Sequence, residues 1–487
     1  MDMKMKKSSW RKCHKWLGIA FCFFMLMFGI SGIVLNHRHW YGNVNVSRNC
    51  LPETFRFERW NNGLLRGTLA AGDSVLVYGA GGVFATDSTA KSFRDFSAGM
   101  PEGADARNVR AVVKTPSGML FALSPFNVYR LCNGRWSEVS APFGGGDRGT
   151  DMTVKGDTLV VLSRSKVYTA VPPYTHFEEH ELKAPEGYDG KVSLFRTVLL
   201  LHSGELFGVP GKVVVDILGI LMIFFCLSGI VIWLSGHGRM PAVFRVAYRC
   251  HELLGRKTIV VTLLLCLTGW ALRPPLLIAL VKCGVPAVPY SSLDSGNAWH
   301  DKLRMIRWDK AEGDWLVSTS EGFFSMEDLD DVPVREEKAP PVSVMGLNVL
   351  ERESGEWLAG SFSGMYRWNR ERGSSVDAVT GKPAEKTSGA PFGKLAVAGY
   401  SRDFACGGFF TTWYEGTEAI PQPSRFSGLP MSLWQLALEV HTGRIYTFLC
   451  GAEVLVYIFV AGLLSVIVLW SGWKIRRRTT GRKNGRR

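Results

Sequence analysis

Paired cysteines are missing from this sequence. Ten cysteines are scattered over 487 residues, and no two stand in a Cys-x-x-Cys spacing. That excludes a zinc ribbon, a thioredoxin-type redox pair and a macrocycle attached through Cys-x-x-Cys-His. Nucleotide-binding loops are missing too. The GAGG at 79–82 follows a strand-like run but lacks the third glycine of a dinucleotide fingerprint, and FGGGDRG at 143–149 reads as a loop. No Ser/His/Asp or Cys/His set stands in a hydrolytic context. His176 and His180 lie four apart beside Glu178 and Glu179 but carry no helix signal, so they read as exposed polar sequence rather than metal ligands.

Acidic residues are scarce in three short stretches. Residues 1–15, 237–257 and 474–487 together hold nineteen Lys/Arg against only Asp2 and Glu252. The whole chain is +14, so everything else is slightly acidic. Basic charge confined to short flanks of apolar runs is a topology signal, and it excludes a nucleic-acid-binding face. Both termini and the 237–257 link are expected in the cytosol, with the basic tail against anionic membrane lipid.

What is present in abundance is long apolar sequence. Trp16–Leu35, Val213–Leu234, Thr258–Leu280 and about 448–470 can each cross roughly 30 Å of hydrocarbon at about 1.5 Å per residue. The first follows a basic segment, but its apolar part is too long for a signal peptide and no small-residue cleavage site follows, so a retained anchor is expected. The expected order is a cytosolic N-terminus (1–15), first span (16–36), first outer region (37–205), second span (206–236), cytosolic link (237–257), third span (258–281), second outer region (282–440), fourth span (441–473) and cytosolic tail (474–487). AVFRVAYRCHELLG, within the link, reads as an interfacial helix leading into the third span. A multi-pass protein of a bacterial inner membrane, with both large regions in the periplasm, fits this order.

The two outer regions read as β. SVLVYGAGGVFATDS (74–88), MLFALSPFNVYRLCNGRW (119–136), TLVVLSRSKVYTA (158–170), WLVSTSEGFFSM (315–326) and WLAGSFSGMYRW (357–368) each combine a strand, a glycine- or polar-rich turn and a second strand. These look like hairpins of propeller-blade type. Stretches 97–107, 328–342 and 370–392 read as loops. A Cys50–Cys132 disulfide suits an oxidising compartment.

An internal duplication organises the chain. HKWLGIAFCFFMLMFGISG (14–32) and HELLGRKTIVVTLLLCLTG (251–269) share one grammar. His14 and Ser31 are seventeen apart, as are His251 and Thr268, and Gly18, Gly32, Gly255 and Gly269 match in position. LHSGELF (201–207) and VHTGRIY (440–446) match in the same way, and each opens an apolar run ending in Trp233 or Trp470. Asp216 and Glu453 each lie seventeen residues before that tryptophan. Four transmembrane α-helices in two tandem pseudo-symmetric pairs are expected, with two β-rich insertions.

The duplication places His14 with His251 at one depth and His202 with His441 at the other. A lone histidine at a span end commonly just wets the interface, but two repeat-related pairs facing across an axis make a bis-axial site for haem iron. Without Cys-x-x-Cys-His the haem would be non-covalent, b-type, and two are expected. His37 and His39 are alternative outer ligands. Arg273, Arg38 and Arg444 are candidate partners for haem propionates. The matched glycines would allow close approach of helices or macrocycle, and Asp216 and Glu453 read as proton-route or helix-end carboxylates.

The first span, the LHSGELFGVPGK entry to the second and the VHTGRIY entry to the fourth together resemble the PepSY-associated transmembrane helix family of bacterial inner-membrane proteins. Some members are implicated as haem-containing ferric-siderophore reductases. The resemblance implies electron delivery, from quinol or a cytosolic donor, through His14, His251, His202 and His441 to a periplasmic ferric siderophore or other iron chelate. The rival expectation is a non-redox scaffold or import accessory whose β domains bind a partner. A weaker third is a transporter using Asp216 and Glu453.

Overall fold

Four apolar runs become four long helices in a computed structural model that describes residues 6–139, 142–144, 146–235, 240–343, 346–384, 395–447 and 454–475. The helices are Lys7–Asn36, Gly208–Ser235, Pro241–Ala271 and Val454–Ile475. By length and composition all four can cross a membrane. The expected interfacial helix and third span form one continuous helix, Pro241–Ala271. It stops where Leu272-Arg273-Pro274-Pro275 begins, because proline removes a backbone N–H and bars the preceding residue from helical geometry. A separate short helix, Leu276–Val281, follows.

These helices belong to one compact unit made of Met1–Arg38, Gly190–Asp294 and Trp434–Arg487. The first helix packs on the second and fourth, and the third also packs on the second and fourth. Glycine sets the closest crossing. A Cβ at Gly29 would stand 3.0 Å from Ile223 and 3.2 Å from the Gly219 carbonyl, so the first and second helices touch backbone to backbone there. Two short helices, Leu194–Ser203 and Leu433–Thr442, carry the His-Ser/Thr-Gly motifs.

The second unit takes in His39–Asp189 and Ser295–Leu433, so both β-rich insertions fold into one body. Five antiparallel four-stranded sheets and a two-stranded sheet account for most of it. All five hairpins expected from sequence form, for example Ser74–Gly79 with Gly82–Thr86 and Glu356–Ser361 with Gly364–Asn369. Two stretches expected as loops each contribute a short edge strand, Val334–Arg335 and Ser374–Asp377. Each is too short to show an alternation, and each pairs with a neighbouring strand that has open hydrogen-bonding groups.

The central strands are buried on both faces, which explains why TLVVLS and SVLVYG run continuously apolar instead of alternating. Each sheet shares a core with the next. Leu76 and Val83 pack with Val112 and Tyr129; Phe121 with Met152 and Val161; Val160 with Ile306 and Trp315; Phe323 with Leu350 and Trp368. Val349 and Leu358 pack with Val397, and the strand Val397–Ser401 packs on Gly67–Ala71 of the first sheet. Each buried large side chain is worth about 1.5–3 kcal/mol. Among the described residues no sheet closes on itself by hydrogen bonding. Cys50 and Cys132 carry free thiols, so the expected disulfide is not formed. Cys50 is exposed and Cys132 lies within a strand.

Candidate functional site

The His-Ser/Thr-Gly motif is a helix terminator. Gly204 (φ 81°) and Gly443 (φ 79°) take the left-handed conformation that ends each short helix. The preceding histidine therefore sits in the last turn, with nearby backbone carbonyls left open. Arg273 occupies two of them, donating to the His441 and Thr442 carbonyls at 2.8 and 3.2 Å.

The four repeat-related histidines meet in two pairs. The rings of His14 and His251 have centroids 6.2 Å apart, and those of His202 and His441 are 6.0 Å apart. The first helix carries His14 near one end and Ser31, beside His441, near the other. Seventeen residues of helix put the two pairs about 25 Å apart along the bundle.

Each ring is held the same way. His441 Nδ1 lies 2.9 Å from Ser31 Oγ, His251 Nδ1 2.8 Å from Ser228 Oγ, His14 Nδ1 3.1 Å from Ser471 Oγ, and His202 Nδ1 3.3 Å from Thr268 Oγ1. Every one of these hydroxyls already donates its single proton to a carbonyl of its own helix, of Met27, Phe224, Val468 and Leu264 respectively. A hydroxyl so committed can only accept from the imidazole. Carbonyls of Val468 and Leu265 also face Nδ1 of His14 and His202, at 3.0 and 3.1 Å. The proton thus resides on Nδ1, and each Nε2 presents its lone pair. That is the orientation a metal-ligating imidazole needs.

Glycine makes room for the rings. Each of the four hydroxyl residues is followed by glycine: Gly32, Gly229, Gly269 and Gly472. A Cβ at Gly269 would stand 2.6 Å from His202 Cε1, at Gly472 3.2 Å from His14 Cε1, and at Gly32 3.5 Å from His441 Cε1. Gly18 and Gly255 have no such role; a Cβ there would meet only Val468 and Phe225 at the outer limit of contact. Sequence reasoning singled out Ser31-Gly32 and Thr268-Gly269, and placed the end of the last apolar run at Trp470, next to Ser471-Gly472. It missed Ser228-Gly229, although a Ser/Thr-Gly step in an apolar run is the signal all four share.

The remaining candidates have other partners. His37 Nε2 and Asn36 Nδ2 both engage Asp216, at 2.9 and 3.0 Å. His39 is exposed. Arg444 pairs with the buried carboxylate of Glu439, both contacts at 2.7 Å, and Arg38 lies 4.0 Å over the Trp434 ring. Arg273 bonds to the backbone of a paired histidine, His441. Glu453 lies outside the described residues. His180 sits in an edge strand with Nε2 2.8 Å from Thr169 Oγ1. No group of three His, Cys, Asp or Glu able to hold a metal ion occurs among the described residues.

A search of curated proteins finds no match. Among solved structures, the extracellular domain of a hybrid two-component system from B. thetaiotaomicron aligns at 10% identity and a TM-score of 0.35, covering 77% of this chain and 39% of that one. A second structure, described as a one-component system from the same organism, aligns at 10% identity and TM-score 0.35, covering 74% and 39%. The chain thus spans about two fifths of those proteins, a similarity too low to define a shared fold. The family comparison matches residues 149–478, which include His202, His251 and His441, to the PepSY-associated TM region, and the chain belongs to that family of membrane proteins.

Proposed function

We propose that this chain is a bacterial inner-membrane electron-transfer protein that binds two b-type haems and reduces ferric siderophores or similar iron chelates in the periplasm. The observation that carries this is the spacing of the histidine pairs. Metal–imidazole bonds are about 2 Å, so each ring centroid lies about 3 Å from the metal and two trans rings lie about 6 Å apart. The pairs stand at 6.2 and 6.0 Å. Two protein ligands suffice for a metal whose other ligands come from a macrocycle, which suits a chain where no larger ligand cluster is seen among the described residues.

In this reading His14 and His251 hold one haem, and His202 and His441 the other. Bound haem supplies one-electron chemistry. Ser31, Ser228, Thr268 and Ser471 fix the Nδ1–H tautomer and the ring direction. Arg273, whose positive charge lies beside the His202/His441 pair, attracts a propionate. The basic flanks orient both termini to the cytosol, where a quinol or soluble donor gives access to the His14/His251 end. The two helix pairs are read as tandem pseudo-symmetric halves, supported by the matched roles of Ser31 and Thr268. The β-rich unit is read as a set of blades, supported by the order in which its sheets share cores, and it offers the docking surface for the chelate.

The test is a dithionite-minus-oxidised spectrum of the detergent-purified protein with haem quantified per chain. Two b-type haems per chain, with one lost in His14→Ala and one in His441→Ala, are expected. A colourless protein from haem-replete cells would sink the proposal and favour a non-redox scaffold.

A further inference from the structure

Between the two histidine pairs the bundle is lined with sulfur. Cys22, Met25, Met222 and Cys226 form one buried cluster, each exposed by 7% or less. Cys22 and Met25 are three apart on the first helix, and Met222 and Cys226 are four apart on the second, so each pair shares a helix face. The Gly29–Gly219 crossing brings those faces together. Both thiols therefore belong to one buried contact cluster between the two helices. Around them are Leu26, Ile230 and a third thiol, Cys266.

We propose that Cys22, Met25, Met222 and Cys226 form a binding site for a soft monovalent metal ion, Cu(I) in the cell and Ag(I) as its analogue. Thiolate and thioether sulfurs select Cu(I), whereas Mg²⁺ and Ca²⁺ require oxygen ligands the cluster lacks. Charge points to the same ion. A net charge in the hydrocarbon core is costly. When Cu(I) binds, one cysteine S–H bond breaks, one S–Cu bond forms and the proton leaves, so the site stays neutral with the second thiol and both thioethers as neutral donors. Zn²⁺ would need both thiols ionised and would gain little from thioethers. Measured along the first helix, Cys22 lies about 12 Å from His14 and Met25 about 9 Å from Ser31. The proposal does not depend on haem binding.

The test uses the full-length protein in detergent, with every cysteine other than Cys22, Cys226 and Cys266 replaced by serine. Cu(I) is titrated anaerobically in competition with bicinchoninate. One Cu(I) per chain should be withdrawn from the chelator. Affinity should fall at least about tenfold in Cys22→Ser and in Met222→Leu, since even residues behind a metal's direct ligands are worth that much. If the multiply substituted chain does not fold, the native chain is treated with Ag(I), unfolded and alkylated. Cys22 and Cys226 should then be protected while Cys50 and Cys406 react. No Cu(I) withdrawn, withdrawal undiminished in both variants, or equal alkylation with and without Ag(I) would each overturn the site and leave the sulfurs as packing.

Discussion

Substituting alanine for each glycine beside a histidine ring gives a graded test of the ring-holding geometry. At Gly269 the new methyl would lie 2.6 Å from His202 Cε1, about 0.8 Å inside the 3.4 Å of ordinary contact, and 3.2 and 3.3 Å from the two ring nitrogens. The ring cannot retreat freely, because its Nδ1 is held by Leu265 and Thr268. Overpacking of this kind costs about 1–3 kcal/mol. On the function proposed above, a shift of most of an ångström at the His202 ring should also weaken haem binding by about 10- to 100-fold, the loss seen when residues orienting a ligand are removed. At Gly472 the deficit is about 0.2 Å, at Gly32 the methyl fits at 3.5 Å, and at Gly229 nothing lies within 4 Å. The assay is haem per chain and the reduced-minus-oxidised spectrum after equal expression, with a thermal melt to separate folding from binding. Gly269→Ala should lose close to one haem per chain, Gly472→Ala should lose part of one, and Gly32→Ala and Gly229→Ala should be unchanged. Full haem in Gly269→Ala, or a loss as large in Gly32→Ala, would refute the argument that these glycines exist to admit the imidazoles.

Other consequences can be measured separately. Thr268→Val keeps the shape but removes the hydroxyl acceptor of His202, so the potential of the haem proposed at that end should shift while haem content stays near native; an unchanged potential would show that the Leu265 carbonyl orients the ring alone. In the β-rich unit, Asp309 is 1% exposed and accepts from Trp357 Nε1 at 2.9 Å, from Arg370 at 2.9 Å and from Arg352. Asp309→Asn weakens the acceptor shared by these donors, while Arg370 keeps Asp314 and Glu336, and should destabilise the unit by about 1–3 kcal/mol in urea unfolding followed by tryptophan fluorescence. Burial pushes the Tyr168 phenol from 10 up to about 12. A raised folded-state value means that Tyr168 contributes stability fully below pH 10 and loses it as pH rises towards 12. Tyr168→Phe should therefore flatten the alkaline limb of the stability profile in that window.

Local sequence carried much of this. The four helices, the five hairpins, His202 and His441 were legible because each rests on a short-range signal: an apolar run longer than a bilayer, a turn between strands, or a His-Ser/Thr-Gly step whose glycine adopts positive φ. The seventeen-residue spacing matched His14 with His251, and the His-Ser/Thr-Gly motif matched His202 with His441; the rings of each pair stand 6.2 and 6.0 Å apart. Edge strands such as Val334–Arg335 were invisible because two residues inside a proline- and charge-rich stretch are too few to show an alternation.

The sequence by itself determined which segments are helices, which are hairpins and which residue types stand at the helix ends, since those depend on neighbours along the chain. Only the tertiary structure decided that Ser228 and Ser471 face His251 and His14, that Asp216 engages His37 and Asn36, that both insertions share one body, and that Cys22 meets Cys226. The reason is rotational. A nearly uniform apolar helix shows no preferred face in its composition, so packing against its neighbours, here set by contacts as small as Gly29 on Gly219, chooses which side chains turn inward.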